Sequence, residues 1–240
     1  MPNPTAAMLV IGDEILSGRT KDANMHHLAC ALTEHGIDLC EVRVISDDGG
    51  AIQTAVNELR ASFSHVFTSG GIGPTHDDIT ADNVARAFGA KIDVREDARA
   101  ILQAHYDRQD LELNEARLRM ARIPDGAVLI DNPVSGAPGF SLENVHVMAG
   151  VPKIFQAMLA GLLPTLTGGA PVLSAALDVM RGEGDIAGPL GDLADRYSAL
   201  SFGSYPFQRD GLFGSNVVIR GQDKASIDQA MDELKELFAS

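Results

Sequence analysis

The chain has 240 residues, of which 45% are hydrophobic, so it can build one large domain or a large and a small one. Its 19 Lys and Arg residues against 33 Asp and Glu residues give a net charge of −14. This acidic balance argues against a nucleic-acid partner, which would need a basic face. It remains compatible with an anionic substrate whose charge is neutralised locally by metal or backbone dipoles.

The sequence also bears on location. The N-terminal residues lack a charged region followed by a long apolar run, so we expect no signal peptide. No apolar stretch is long enough to span a bilayer. Cys30 and Cys40 do not have a metal-ligand spacing and are expected to be reduced thiols. These features predict a cytoplasmic protein without a membrane partner.

Strands and helices are predicted to alternate through the first part of the chain. Short apolar runs and helical spacing predict, in chain order, strand 6–11, helix 24–35, strand 37–45, helix 51–62, strand 66–69 and helix 81–88. This alternation predicts a parallel sheet with helices on both faces. Thr80 is expected to cap the last of these helices and Gly89 to end it.

A glycine-rich loop follows the strand at 66–69. Gly70, Gly71 and Gly73 lack Cβ atoms, so their backbone N–H groups can approach an anion at the start of the next helix. The loop also contains Asp77 and Asp78, which would repel a bare phosphate. A divalent cation between carboxylate and phosphate resolves this conflict. The alternative is an ordinary turn in which the Asp residues act as turn formers.

Acidic residues follow each of the first three predicted strands. The pairs are Asp13 and Glu14, Asp47 and Asp48, and Asp77 and Asp78. Ligands of open parallel sheets bind outside the carboxyl ends of the strands, so these groups are expected to converge on one edge. The alternative is that they merely solvate the loops.

The rest of the chain completes this unit and adds a smaller one. The remaining predicted elements of the first unit are helices 96–106 and 114–122, strand 128–130, a hairpin of strands 140–142 and 145–148, and helix 153–162. Asn144 would tolerate a left-handed conformation in the hairpin turn. A boundary near 166–171 predicts domains 1–168 and 169–240. The second is a small α+β unit with strands 172–180, 199–206 and 216–220 and helices 186–197 and 224–238.

Four motifs occur in order and together resemble the MoaB/Mog (molybdopterin-binding) family. They are residues 12–18 with Asn24, Asp47 with Asp48, residues 70–80, and residues 135–140. Within that family the chain is most similar to the N-terminal part of competence/damage-inducible protein A and to the related domain of FAD synthases. The likeness covers about residues 6–165. Segments 183–187 and 203–206 resemble the smaller, KH-like domain that follows in the competence protein.

The resemblance implies a three-layer α/β/α domain with a mostly parallel sheet, often oligomeric, and a small KH-like α+β domain. In the molybdopterin branch the site adenylylates molybdopterin with Mg-ATP. In the competence branch it is linked to metal-dependent cleavage of ADP-ribose-like compounds, and in the FAD-synthase branch to FAD hydrolysis. By this likeness Asp78 and Asp47 match the essential acidic residues, and the loop at Ser135 and Gly136 matches a ligand-contacting loop.

One departure from the family pattern favours hydrolysis. The adenylylating branch usually has an arginine just before the loop aspartate, whereas this chain has Asp77. An arginine clamps phosphate with two hydrogen bonds, and a carboxylate in its place favours a metal instead. The chain also lacks both the amidohydrolase domain and the FAD-synthesising domain seen in relatives, so neither activity is expected.

The resulting hypothesis is a divalent-metal-dependent nucleotide diphosphate hydrolase that uses Mg²⁺ or a similar ion. Asp47 and Asp78 are the expected catalytic residues, and Asp47, Asp77, Asp78 and Glu14, with Asp48 as an alternative, are the expected metal ligands. Phosphate contacts are expected from Asn24, Thr68, Ser69, Gly70, Gly71, Gly73 and Thr75. The base or pterin end of the ligand is expected at Ser135, Gly136 and Ala137.

Other readings stay open. The same loop fits a module that binds a nucleotide or a pterin such as molybdopterin without turning it over, or a molybdopterin adenylyltransferase. His76 could be a general acid, a metal ligand or a solvated loop residue. RNA binding is disfavoured, because the C-terminal part has no Gly-x-x-Gly between two helices and is not basic. A homo-oligomer with a small-molecule ligand is expected.

Overall fold

The computed structural model describes residues 2–209 and 211–238. The chain divides into two compact units, Met1–Gly169 and Ala170–Ser240. Among the residues described, no helix is both long and apolar enough to cross a membrane.

The first half of the N-terminal unit alternates strands and helices. The elements are β1 (Thr5–Ile11), α1 (Asp13–Leu16), α2 (Asn24–His35), β2 (Asp38–Ile45), α3 (Gly49–Ser62), β3 (His65–Ser69) and α4 (Thr80–Phe88). Helix α4 ends at Gly89, as predicted, because Gly89 adopts a left-handed conformation with φ of 64°. Thr80 is not the cap. It is the first helical residue, and Ile79 in front of it supplies no side-chain hydrogen bond.

The second half is less regular. It comprises β4 (Ile92–Val94), α5 (Glu96–Asp107), α6 (Glu115–Leu118), β5 (Arg122–Pro124), β6 (Val128–Ile130), β7 (Gly139–Leu142), β8 (Val145–Met148) and α7 (Pro152–Leu162). The helix predicted at 114–122 is wrong beyond Leu118, where a 3-10 turn at Arg119–Ala121 leads into β5. Strand β5 pairs with β4, and Pro124 disfavours helical conformation in the residue before it.

A six-stranded sheet organises this unit, in the order β2-β1-β3-β8-β7-β6. The pairs β1–β2, β1–β3 and β3–β8 are parallel, and β7 is antiparallel to both β8 and β6. The mostly parallel sheet predicted from the sequence is therefore confirmed. Strands β1, β2 and β3 run in the same direction, so the loops that follow them lie side by side at one edge of the sheet.

Both faces of the central strand β1 are buried. Ala7, Leu9 and Ile11 pack on one face, in a cluster with residues of α3 and α4. Ala6, Met8 and Val10 pack on the other, and their cluster includes Leu28 and Leu32 of α2 and Phe155 and Leu159 of α7. Because side chains of a strand alternate between its faces, this arrangement produces three layers, helix, sheet and helix.

The hairpin between β7 and β8 turns at Glu143 and Asn144, as predicted. The residue in the left-handed conformation is Glu143, with φ of 50°, although Asn144 would also tolerate it. The side chain of Asn144 instead donates hydrogen bonds to the carbonyl oxygens of Arg60 and Phe63, both at 2.9 Å. Asn144 therefore attaches the hairpin to the end of α3. Its role in the turn comes from these side-chain hydrogen bonds and not from an unusual backbone conformation.

The C-terminal unit is a small α+β domain, as predicted. Its elements are β9 (Leu173–Val179), α8 (Glu183–Arg196), β10 (Ser201–Arg209), β11 (Leu212–Gly221) and α9 (Lys224–Phe238). The three strands form an antiparallel sheet in the order β10-β11-β9. Apolar residues of both helices pack with Val217 and Ile219 of the central strand, so this unit has a core of its own.

Candidate functional site

The acidic loops after β1 and β2 are joined by a hydrogen bond. The backbone N–H of Asp13 donates to Oδ2 of Asp47 at 3.0 Å, and the N–H of Gly12 donates to the carbonyl oxygen of Ile45 at 3.1 Å. Burial raises the pKa of the Asp47 carboxyl, and the negative charges of Asp13, Glu14 and Asp77 raise it further, while the Asp13 N–H opposes them. Carboxylates from all three loops thus act on one another at this edge of the sheet.

Asp48 does not belong to this group. Its Oδ1 accepts a hydrogen bond from the N–H of Ala51 at 2.8 Å and caps α3. A carboxylate in this position satisfies a free N–H group at the helix start. Asp48 therefore acts as a helix cap and is not a candidate metal ligand.

The glycine loop is shaped by two close approaches. A Cβ atom on Gly70, whose φ is 110°, would lie 2.2 Å from the carbonyl oxygen of Ile11. One on Gly71, whose φ is 68°, would lie 2.1 Å from Oγ1 of Thr80. Neither position accepts a side chain, since the conformation and the space both exclude one. The glycines let the loop pack against β1 on one side and α4 on the other.

The three glycines differ in what their N–H groups do. The N–H of Gly70 donates to the carbonyl oxygen of Met148 at 3.2 Å and is not free to bind phosphate, contrary to the prediction. Within residues 2–209 and 211–238, the N–H groups of Gly71 and Gly73 have no hydrogen-bond acceptor. Gly71 and Gly73 are therefore the loop donors that a ligand can use.

Asp78 is held in the glycine loop by Thr75. Its Oδ2 accepts hydrogen bonds from the N–H of Thr75 at 2.8 Å and from the Thr75 hydroxyl at 2.5 Å. A Cβ atom on Gly73 would lie 2.6 Å from the same oxygen, so the carboxylate lies over Gly73. Thr75 thus positions Asp78 and leaves Oδ1 for other partners. Asp77 and His76 are exposed on the loop surface, with Asp77 Oδ1 3.9 Å from His76 Nδ1.

Asn24 positions Ser69 at the end of β3. Its Nδ2 donates to Ser69 Oγ at 2.8 Å and to the carbonyl oxygen of Gly150 at 2.7 Å, and both side chains are buried. Since Ser69 Oγ accepts here, its own proton is available to another acceptor. Thr68 differs, because its side chain is fully buried and its Oγ1 has no hydrogen-bond partner, so it does not reach a ligand.

The loop at 132–138 is ordered by a residue that was not predicted. Asn132 is buried, and its Nδ2 donates to Ser135 Oγ and to the carbonyl oxygen of Ala137, both at 2.7 Å. Gly136 has φ of 72° and lies so close to the ring of His105 that a Cβ would meet it at 2.5 Å. Ser135, Gly136 and Ala137 are thus fixed in place. The only local signal for Asn132 is its Asn-Pro pair, which marks a turn and nothing more.

Two clefts flank the glycine loop. One, of about 50 Å³, is lined by Glu14, Lys21, Asn24, Ser69 and Gly70 among others. The other, of about 20 Å³, includes Gly71, Gly73, Asp78, Arg119 and Arg122. Neither arginine is predicted from the sequence, because both lie more than 40 residues from the loop, on a segment expected to be a helix.

The predicted metal ligands are Glu14, Asp47, Asp77 and Asp78. Among the residues that the structure describes, no three His, Cys, Asp or Glu side chains are close enough to hold an ion together. Two carboxylates suffice for Mg²⁺ when substrate phosphates and water complete its coordination. The donor set therefore fits an ion that arrives with a phosphate ligand, and does not fit a closed protein cage.

Comparisons with known proteins cover both units. Residues 7–168 match the family described as "Probable molybdopterin binding domain", and residues 171–240 match the family "FAD synthase, middle domain". "Protein PH0439" of Pyrococcus horikoshii is 33% identical over 219 residues, which are 83% of this chain and 86% of that protein. The "Probable FAD synthase" of Caenorhabditis elegans is 30% identical over 259 residues, covering 98% of this chain and 50% of that protein.

A solved structure supports the same relationship. The protein CinA of unknown function from Thermoplasma acidophilum has a TM-score of 0.63 and 33% identity, and it covers 68% of this chain and 97% of its own. Three further archaeal relatives are matched over 62%, 66% and 64% of their length. The chain therefore spans about two thirds of these relatives and half of the FAD synthase.

Proposed function

The chain belongs to the probable molybdopterin binding domain family, and from this premise we propose that its N-terminal unit is a metal-dependent hydrolase of a nucleotide diphosphate such as ADP-ribose or FAD. The ligand binds between the glycine loop and the loops after β1 and β2. The single observation that supports this most is the placement of Asp47, whose Oδ2 accepts a hydrogen bond from the N–H of Asp13 and which lies among the charges of Asp13, Glu14 and Asp77.

The negative charges around Asp47 at this edge of the sheet favour the binding of a cation. Among the residues that the structure describes, no cationic side chain forms an ion pair with Asp47, which accepts a hydrogen bond from the backbone N–H of Asp13. Purely structural carboxylates are usually paired or hydrogen-bonded in ways that lower their pKa. A divalent cation bound by Asp47 and Asp78, with Asp77 and Glu14 nearby, would neutralise charge on the diphosphate and activate water.

The chain's own donors would hold the phosphates. The N–H groups of Gly71 and Gly73 and the proton of Ser69 are available, and Asn24 fixes the direction of Ser69. Such preorganised donors stabilise negative charge as it develops on the leaving phosphate. The loop ordered by Asn132 would contact the base or pterin end of the ligand at Ser135, Gly136 and Ala137. Hydrolysis then adds one water across the P–O–P anhydride and releases AMP and a second phosphate monoester.

A second candidate function is a module that binds a nucleotide or a pterin such as molybdopterin without turnover. It is favoured by the lack, among the residues described, of a set of three ligating side chains. Adenylylation of molybdopterin is less favoured, because Asp77 puts a negative charge where an arginine would clamp phosphate.

The test is incubation of the full chain with ADP-ribose, FAD, and ATP plus molybdopterin, each with and without Mg²⁺, Mn²⁺ or Co²⁺. Chromatography measures AMP and adenylylated pterin. We expect metal-dependent release of AMP from ADP-ribose or FAD, lost in Asp78→Asn and retained in Asp125→Asn, an exposed carboxylate elsewhere in the unit. If calorimetry shows binding but no substrate is turned over, the binding module replaces the hydrolase.

A further inference from the structure

The two sides of the glycine loop differ in charge. On one side, Asp47 lies among the carboxylates of Asp13, Glu14 and Asp77. On the other side, the cleft that contains Gly71 and Gly73 carries charges of both signs, and its lining includes Asp78, Asp82, Arg119 and Arg122. The N–H groups that remain free in the loop, those of Gly71 and Gly73, belong to residues that line this second cleft.

The two arginines differ in charge balance. Arg122 forms an ion pair with Asp82, which lies in the first turn of α4. Arg119 has an exposed side chain with no hydrogen-bond or ion-pair partner in the part of the chain that the structure describes. Of the two arginines, Arg119 is therefore the one whose guanidinium is free to bind an anion, while the Asp78 carboxylate of the same cleft is held by Thr75.

The backbone around Arg119 is fixed. Arg119 begins the 3-10 turn that ends at the buried Ala121, and the next residues form β5, whose Ile123 is also buried. The cleft itself, at about 20 Å³, holds roughly one water molecule. A phosphate would therefore lie at its mouth, between the free N–H groups and the Arg119 side chain.

We propose that Arg119 is the phosphate clamp of this site and selects ligands that carry a diphosphate. The proposal rests on the proposed function, since it assigns the same glycine loop to the phosphates. One part of the diphosphate is balanced by the cation at Asp47 and Asp78, and the other by Arg119. Arginine presents five donors in a planar fork and forms charge-assisted hydrogen bonds to phosphate oxygens.

The test compares Arg119→Gln and Arg119→Lys with Arg108→Gln, an arginine that is also exposed and has no ion pair in the described part of the chain. Calorimetry in Mg²⁺ measures the dissociation constants of ADP, AMP and adenosine for each full-length variant. Loss of one charge-assisted contact is worth about tenfold in affinity. We expect Arg119→Gln to weaken ADP about tenfold and AMP less, to leave adenosine unchanged, and to be partly rescued by Arg119→Lys.

Three results would overturn the proposal. The first is ADP binding by Arg119→Gln that equals that of the wild type. The second is a wild-type protein without affinity for ADP. The third is an equal loss of ADP affinity in Arg108→Gln, which would indicate an effect of general surface charge.

Failure of the hydrolase proposal gives a different result. If no substrate is turned over but ADP binding still falls in Arg119→Gln alone, phosphate binding by Arg119 is supported and the hydrolase proposal is rejected. If AMP is released in a metal-dependent way while Arg119→Gln binds ADP normally, the hydrolase proposal is supported and phosphate binding by Arg119 is rejected.

Discussion

At the scale of single residues, Asp47 shows how a site can cost stability. Its pKa is raised by burial and by neighbouring carboxylates. A carboxyl whose pKa is higher in the folded than in the unfolded state is destabilised in its ionised form by folding. The cost is absent well below the unfolded pKa, near 3.9, grows as the pH rises through the two pKa values, and persists at neutral pH.

Asp47→Asn is therefore expected to stabilise the protein at pH 7 when no cation is added. The asparagine keeps an oxygen for the Asp13 N–H but carries no charge. We expect a rise of about 1–2 °C in melting temperature, which shrinks toward pH 3. Thermal melts across this pH range measure it, with Asp125→Asn as the control. A lower melting temperature at pH 7 would show that the Asp47 carboxylate is stabilising.

Gly70 and Gly89 allow two costs of adding a side chain to be compared, the cost of a left-handed backbone alone and that cost together with a steric clash. Both have positive φ, at 110° and 64°, but a Cβ on Gly70 would strike the Ile11 carbonyl while one on Gly89 meets nothing within 4 Å. We expect Gly89→Ala to cost about 1–2 kcal/mol of unfolding free energy, and Gly70→Ala to cost more than about 3 kcal/mol. Urea denaturation measures both. Equal costs would mean that the end of β1 at Ile11 moves to make room for the added methyl group without further loss of stability.

At the scale of secondary-structure elements, three neighbouring strands share a partly buried chain of polar side chains, of which His146 is the buried member. His65 Nδ1 on β3 lies 3.1 Å from His146 Nε2 on β8, whose Nδ1 lies 2.8 Å from Ser141 Oγ on β7. Burial lowers the pKa of His146 to about 3, and the proximity of His65 adds to the shift. Burial also lowers the pKa of His65. Both imidazoles are therefore neutral in the folded sheet at neutral pH.

This chain predicts acid sensitivity with a defined sign. An imidazole whose pKa is lower in the folded state contributes stability above its unfolded pKa, near 6.5, and that contribution is lost as the pH falls toward 3. We expect the unfolding free energy to fall steadily below pH 6.5. In His146→Gln the slope should be smaller, although the variant is less stable at pH 7. Urea denaturation at several pH values tests this, and an unchanged slope would rule out His146 as the source.

The elements also show what a sequence pattern can and cannot specify. The run at β1 and the spacing of α2 predict their elements well, because each buries several apolar side chains in a regular period. Strands β4 and β5 are missed because three residues are too few to show a period, and β5 exists through its pairing with β4. The acidic loops are predictable, since they follow strands directly.

Other site residues depend on tertiary contacts. Arg119 joins the glycine loop across more than 40 residues of chain, and Asn132 acts through hydrogen bonds inside its own loop. The opposite error occurs at Asp48 and Gly70, where residues expected to bind a ligand are occupied by a helix cap and a strand bond. Spacing alone does not show which polar groups remain free after folding.

At the scale of the whole molecule, the two units differ in their part in ligand binding. Every candidate ligand contact lies before Gly169, and each unit has its own apolar core. We expect a chain truncated after Gly169 to bind ADP with an affinity within about threefold of the full chain, because no described site residue is removed. Calorimetry on both proteins measures this. A much larger loss would indicate that the C-terminal unit contributes to the ligand site.

The hydrogen bond from Gly70 to Met148 sets how the glycine loop can open. Gly70 is tied to the end of β8, whereas the N–H groups of Gly71 and Gly73 are tied to nothing in the described chain. The Gly71 carbonyl accepts a hydrogen bond from the N–H of Thr80, so the loop is also attached to α4 at its other end. The N–H group of Gly70 is therefore exposed only when the sheet opens, whereas those of Gly71 and Gly73 are accessible without breaking a hydrogen bond.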